Sequence, residues 1–122
     1  MVKSQEEPVS LHISQRKSGA VTILDLHGRA TIGRGNDELA AELRKLVEGG
    51  SKHLLVNLAN TSQVDSSGIS TIVRAFVTLQ RSSGALKLVN PNGRVREVLE
   101  VTRLLNAIPT FDDEGKAVAS FK

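Results

Sequence analysis

Two serines, Ser66 and Ser67, stand between a carboxylate and a glycine in the run Asp65-Ser66-Ser67-Gly68. An apolar run, His53-Leu-Leu-Val-Asn-Leu58, precedes them across a short polar stretch, and an amphipathic helical pattern follows at once. The serines therefore fall where a helix begins. Three kinds of chemistry suit hydroxyls in that place. The plainest is capping: Asp65 or Ser66 accepts a hydrogen bond from a free N–H two or three residues on, worth about 1 kcal/mol. Gly68 then permits close packing or an unusual backbone angle. The second is modification. A phosphate on a helix-start serine meets free N–H groups and the positive end of the dipole, and adds about −1.5 to −2 charges without unfolding the helix. Asp65 opposes that charge, so the phosphate need not be buried, and a dianion on a flat docking surface repels a partner's acidic groups. The third is nucleophilic catalysis, and the residues argue against it. There is no G-x-S-x-G elbow, and His12, His27 and His53 fall within or beside strands with no Ser/His/Asp company.

Other patterns carry less. Gly33-Arg34-Gly35 lacks a third glycine and reads as a turn, not a dinucleotide site. Asp112, Asp113 and Glu114 are consecutive, so their carboxylates do not converge on a metal; they suit the first turn of a helix. No metal or other cofactor is expected. With no cysteine, disulfides and thiolate metal sites are excluded. No apolar stretch approaches the roughly 18 residues of a membrane span. The start, MVKSQEEPVS, has no apolar core of a secretory signal, so a cytoplasmic protein is the expectation. The net charge of +3 is small and its basic residues are scattered; with no Trp or Tyr there is no stacking platform, and nucleic acid is not an expected partner.

The elements that must hold the serines can be read around them. The 122 residues suggest one domain with a modest core, 9–122, after a polar, frayed N-terminus at 1–8. Leu11, Ile13 and Gln15 share one strand face; Lys17–Ala20 is a turn; Val21, Ile23, Leu24 and Leu26 form a second strand closed by Gly28. Gly33–Gly35 is a loop, with Asn36 or Asp37 capping a helix that carries Leu39, Leu43, Leu46 and Val47 and ends at Gly49-Gly50. Leu54–Leu58 is a short strand covered on both faces. Ile69, Ile72, Val73, Phe76 and Leu79 make the stripe of the helix after Asp65, which stops at Ser82–Gly84. A strand at Leu86–Val89, a turn at Asn90–Gly93, a helix with Val95, Val98, Leu99 and Thr102 inward, an edge strand at Ala107–Pro109 and a last helix complete the chain. The order β-β-α-β-α-β-α-β-α describes an α/β fold with a mostly parallel sheet of four to five strands and about four helices.

The order, the length and Val64-Asp-Ser-Ser-Gly-Ile69 after an apolar strand resemble the STAS domain family, most closely its bacterial anti-sigma factor antagonists. The resemblance runs from Val9 to Phe121, with Leu58 before the motif and Asn90-Pro-Asn-Gly93 after the next strand. It implies a mixed sheet with helices mainly on one face and no enzymatic activity. It implies an anti-sigma factor partner, a GHKL-type ATP-dependent serine kinase, which phosphorylates the serine after the Asp and so releases the antagonist. A metal-dependent serine phosphatase resets it. Carried over, Ser66 is the acceptor, Ser67 the fallback, and Asp65 and Gly68 shape the loop. The partner-binding surface becomes Asp65, Ser66, Ser67, Gly68 and Ile69 with Arg29 and Thr31 of the Gly28–Asn36 loop. A homodimer is compatible with all of this. One departure stands out. Where the family shows Gly, an acid, an apolar residue and Asp, this chain has Gly28-Arg29-Ala30-Thr31. That departure motivates one alternative, a STAS docking module of a stressosome or ABC-type lipid transporter in which the serine is never phosphorylated; a second is a small-molecule or nucleotide-binding module using the helix start at Ser66.

Overall fold

The computed structural model describes residues 11–121. The elements in chain order are β1 (Leu11–Ser18), β2 (Val21–Ala30), α1 (Arg34–Glu48), β3 (His53–Val64), α2 (Ser66–Arg81), β4 (Ala85–Val89), α3 (Gly93–Val101), α4 (Leu104–Ala107), β5 (Thr110–Phe111) and α5 (Glu114–Ala119). The expected frayed segment and the start of the domain at residue 9 lie outside the described residues.

The strands form one sheet whose spatial order is the sequence order, β1-β2-β3-β4-β5. β1 is antiparallel to β2, and the other neighbours are parallel. Right-handed crossovers that all step the same way across a sheet place their helices on one face. Accordingly Leu39 and Leu43 of α1, Ile72 and Leu79 of α2, and Val95 and Leu99 of α3 pack with Leu24, Leu26, Leu54, Val56 and Leu88, joined by Leu104 and Leu105 of α4. The last helix belongs to no crossover and covers the other face, where Ala117, Val118 and Phe121 meet Val21, Ile23, Leu55 and Val89. Leu54, Leu55 and Val56 are all fully buried, as a strand covered on both faces requires. The mixed sheet with helices mainly on one face is as expected, with five helices among the described residues instead of about four.

Several boundaries differ from the sequence expectation, each for a local reason. β2 runs past Gly28 to Ala30, and β3 runs past Leu58 to Val64, pairing His27 with Asn60, Arg29 with Gln63 and Ala30 with Val64. These polar residues show no apolar alternation; side chains tie the ribbon instead, Thr61 donating to the Leu26 carbonyl and Ser62 to that of Gly28. Because β4 stops opposite Asn57, the far ends of β2 and β3 extend beyond it as a two-stranded ribbon. α1 begins at Arg34, so Arg34 and Gly35 are helical and not loop. Its N-cap is Gly33, at φ 110°, in place of Asn36 or Asp37; Asn36 accepts a hydrogen bond from the Thr71 hydroxyl of α2. The edge strand is Thr110–Phe111, not Ala107–Pro109, because Leu104–Ala107 closes a helical turn and buries Ile108 in the main core. Thr102, expected inward, is exposed at the end of α3 with its hydroxyl on the Val98 carbonyl.

Candidate functional site

Asp65 organises the end of the ribbon. It is the N-cap of α2, with extended backbone at φ −112°. Its Oδ1 accepts from the N–H of Ser67 at 2.9 Å and of Gly68 at 3.1 Å. Its Oδ2 accepts from the N–H of Ile32, in the β2–α1 loop, at 2.8 Å. One carboxylate thus joins the end of β3, the start of α2 and a loop 33 residues earlier in the chain. Hydrogen bonds to an anion favour its charged form. The Ile32 amide first, then those of Gly68 and Ser67, hold the Asp65 carboxyl below its ordinary range, against the opposing effect of burial.

Gly68 is required by a close approach. A Cβ there would run into the carbonyl oxygen of Ala30, so α2 can begin this near to β2 only without a side chain at that position. Ala30 also takes the Asp65 N–H on its carbonyl at 3.4 Å. The Thr71–Asn36 hydrogen bond, 2.6 Å, fixes α1 beside α2 one turn further on.

Ser66 is exposed at the first position of α2, and its hydroxyl makes no hydrogen bond among the described residues. Ser67 is half-buried. With Asn36, Ser70, Thr71 and Arg74 the two serines line a shallow polar depression between α1 and α2. Asp65, Ser66, Ser67 and Gly68 are therefore together, as expected. Thr31 is adjacent, its carbonyl accepting the Asn36 N–H at 3.1 Å. Arg29 is exposed near the end of β2, opposite Gln63. Ile69 is partly buried and packs against the main core, so it offers less surface than its place in the motif suggested. Two residues inside the expected Gly28–Asn36 loop were not singled out by the sequence reading: Ala30, whose role is a backbone contact that no side chain advertises, and Ile32, 79% exposed. An isoleucine isolated in a Thr-Ile-Gly loop was the available signal for the second.

Among the described residues no histidine is placed on the serines. The His12 and His27 rings face each other across β1 and β2 at 6.1 Å, and His53 packs on Phe121. Among the described residues no cluster of three His, Cys, Asp or Glu could hold a metal, and no helix is long and apolar enough to cross a membrane.

An exposed serine on a carboxylate-capped helix, at the end of a mostly parallel sheet with its helices mainly on one face, defines a class of domain. Residues 12–117 match the STAS domain family, and the chain belongs to it. It is 28% identical over 86 residues to BtrV of Bordetella bronchiseptica, named as a candidate anti-sigma factor antagonist; the match covers 70% of this chain and 74% of that one. In fold it is similar to an anti-sigma factor antagonist from Mycobacterium paratuberculosis, with a TM-score of 0.81 at 15% identity, over 92% of this chain and 94% of that one. It is also similar to the Bacillus cell fate determinant SpoIIAA in its phosphorylated form, with a TM-score of 0.71 at 18% identity, over 91% and 100% of the two chains.

Proposed function

We propose that this chain is an anti-sigma factor antagonist, acting by binding and not by catalysis. Its partner is an anti-sigma factor with GHKL-type serine kinase activity. Docked on that partner, the chain keeps it from its sigma factor. Transfer of the ATP γ-phosphoryl group to the Ser66 oxygen, with ADP as the leaving group and loss of the hydroxyl proton, ends the complex, and a metal-dependent serine phosphatase hydrolyses the ester, releasing phosphate and restoring the free hydroxyl.

One observation carries this reading: the Ser66 hydroxyl is exposed and makes no hydrogen bond among the described residues, while the helix start under it is already capped by Asp65. Modifying Ser66 removes no hydrogen bond among the described residues. The phosphate would add charge at a surface that keeps its shape. The half-burial of Ser67 makes it the lesser acceptor. The name of the Bordetella relative supports the same partner class.

The test is intact and peptide mass spectrometry after incubation with ATP and each GHKL-type kinase encoded in the same genome. One added phosphate, kept in Ser67→Ala and lost in Ser66→Ala, is the expected result. No phosphate from any kinase on folded protein overturns the switch and leaves a constitutive docking module.

A further inference from the structure

His12 of β1 and His27 of β2 stand directly opposite each other in the antiparallel ladder. Opposite residues on paired strands point to the same face, with Cβ atoms about 4.5–5.5 Å apart. Both residues are exposed, and their ring centroids lie 6.1 Å apart with the planes tilted by 54°. Neither imidazole makes a hydrogen bond among the described residues, so their nitrogens are open to solvent. His53 is different: it is half-buried and packs on Phe121 at 5.3 Å.

The surroundings leave room for a ligand. The pair is on the α5 side of the sheet, but α5 rests on Val21, Ile23, Leu55 and Val89, toward the other end of β2. Asp25 precedes His27 on the same face, and its carboxylate is committed to Arg16 and Asn57. Arg29 follows on that face and is exposed, free to turn its charge to solvent. Asn60 of β3 stands opposite His27 and is also exposed.

Neutral imidazole is the commonest protein ligand for first-row transition-metal ions such as zinc and copper. Two imidazoles that share such an ion, each nitrogen about 2.0–2.1 Å from it at a tetrahedral angle, have ring centres about 5 Å apart. The 6.1 Å separation can close to that by rotation of two exposed side chains, with the strands unmoved. We infer that His12 and His27 form a two-imidazole chelate for a borderline divalent transition-metal ion, Zn2+ or Cu2+. Water fills the remaining positions, because among the described residues no group of three His, Cys, Asp or Glu converges. The ion is a clamp between β1 and β2, placed three residues before Ala30, whose carbonyl abuts Gly68. The inference is independent of the kinase.

The experiment titrates the full chain with ZnCl2 at about pH 7.5, where ligand protons compete little. Calorimetry gives stoichiometry and affinity, and NMR follows the imidazole signals. The set is wild type, His12→Thr, His27→Thr, the double variant and His53→Gln, each checked for fold by circular dichroism. One ion per chain is expected, with the His12 and His27 signals shifting and the melting temperature rising. Each single variant should lose at least about tenfold in affinity, since even outer-shell partners are worth that much. The double variant should lose little more, because a chelate fails once either arm is gone. Copper should bind tighter than zinc, and Mg2+ should give no response. Folded wild type that takes up no zinc, or a folded single variant that binds like wild type, overturns the chelate. So does binding lost in His53→Gln or an equal response to Mg2+. Half an ion per chain, with a dimer in sedimentation, overturns the water-completed site in favour of a bridge between two copies.

Discussion

A single carboxylate does three jobs at the site, and its loss should be felt in each. Asp65→Ala removes the cap of α2 and strands the N–H of Ile32. Urea unfolding is expected to show a loss of about 1–2 kcal/mol, the range for cap removal. Asp65→Asn is the sharper probe, since the amide oxygen can still accept on one side but its NH2 turns a donor toward the backbone N–H on the other. Gly68→Ala should cost about 1–3 kcal/mol, because its methyl meets the Ala30 backbone and not a side chain that can swing away. By contrast, Ser66→Asp should unfold within about 0.5 kcal/mol of wild type, as exposed substitutions do, while losing most affinity for the kinase. Stability from denaturation and binding from titration separate these two classes of effect.

At the level of elements, α5 is the independent part. Beyond its apolar contacts it is fastened by Arg16 of β1, whose guanidinium donates at 2.6 Å to Glu114 and also pairs with Asp25 of β2. Lys87 of β4 fastens the far end, donating to the Ser120 carbonyl at 2.9 Å with its ammonium 4.6 Å from the centre of the Phe121 ring. Exposed pairs contribute only about 0–1 kcal/mol each. Arg16→Ala should therefore barely change global stability, yet raise amide exchange in Ala117 and Val118, since a peripheral helix opens locally first. A change spread evenly over β3 and α2 would contradict that separation. Elements like these were legible in the sequence wherever burial imposes a period: Leu54–Leu58, the stripe from Ile72 to Leu79, and the glycines after α1. The ribbon from Ala59 to Val64 was not legible, because its residues are held by the ladder and by hydroxyls, which leave no apolar alternation. The start of α1 was misplaced for a related reason: Asn36 looks like a cap, but its side chain is committed to Thr71, a partner 35 residues away. The motif at Asp65 was legible as a helix start, whereas its bond to Ile32 depends on the fold.

For the whole molecule the acid side of the pH axis is the vulnerable one. Asp65, Asp25 and Glu114 are all held below their ordinary carboxyl range, Asp65 by backbone amides and the other two chiefly by Arg16. A carboxyl whose folded pKa is depressed gives stability that is complete above its unfolded pKa, about 4, and is lost as pH falls through the folded one. Melting temperature should be flat with respect to these three groups near neutrality and drop below about pH 4. Asp65→Asn should make that drop shallower, which a series of thermal melts from neutral to acid pH checks directly.

The engagement of Asp65 also bears on time. With Oδ1 on two amides and Oδ2 on a third, that carboxylate is held in its charged form below the ordinary range, which makes it a weak base toward any water molecule near Ser66. Phosphate monoesters hydrolyse without a catalyst more slowly than almost any other biological bond. A phosphate on Ser66 would therefore carry no clock of its own. The module would keep a memory of its last encounter with the kinase until another protein erased it.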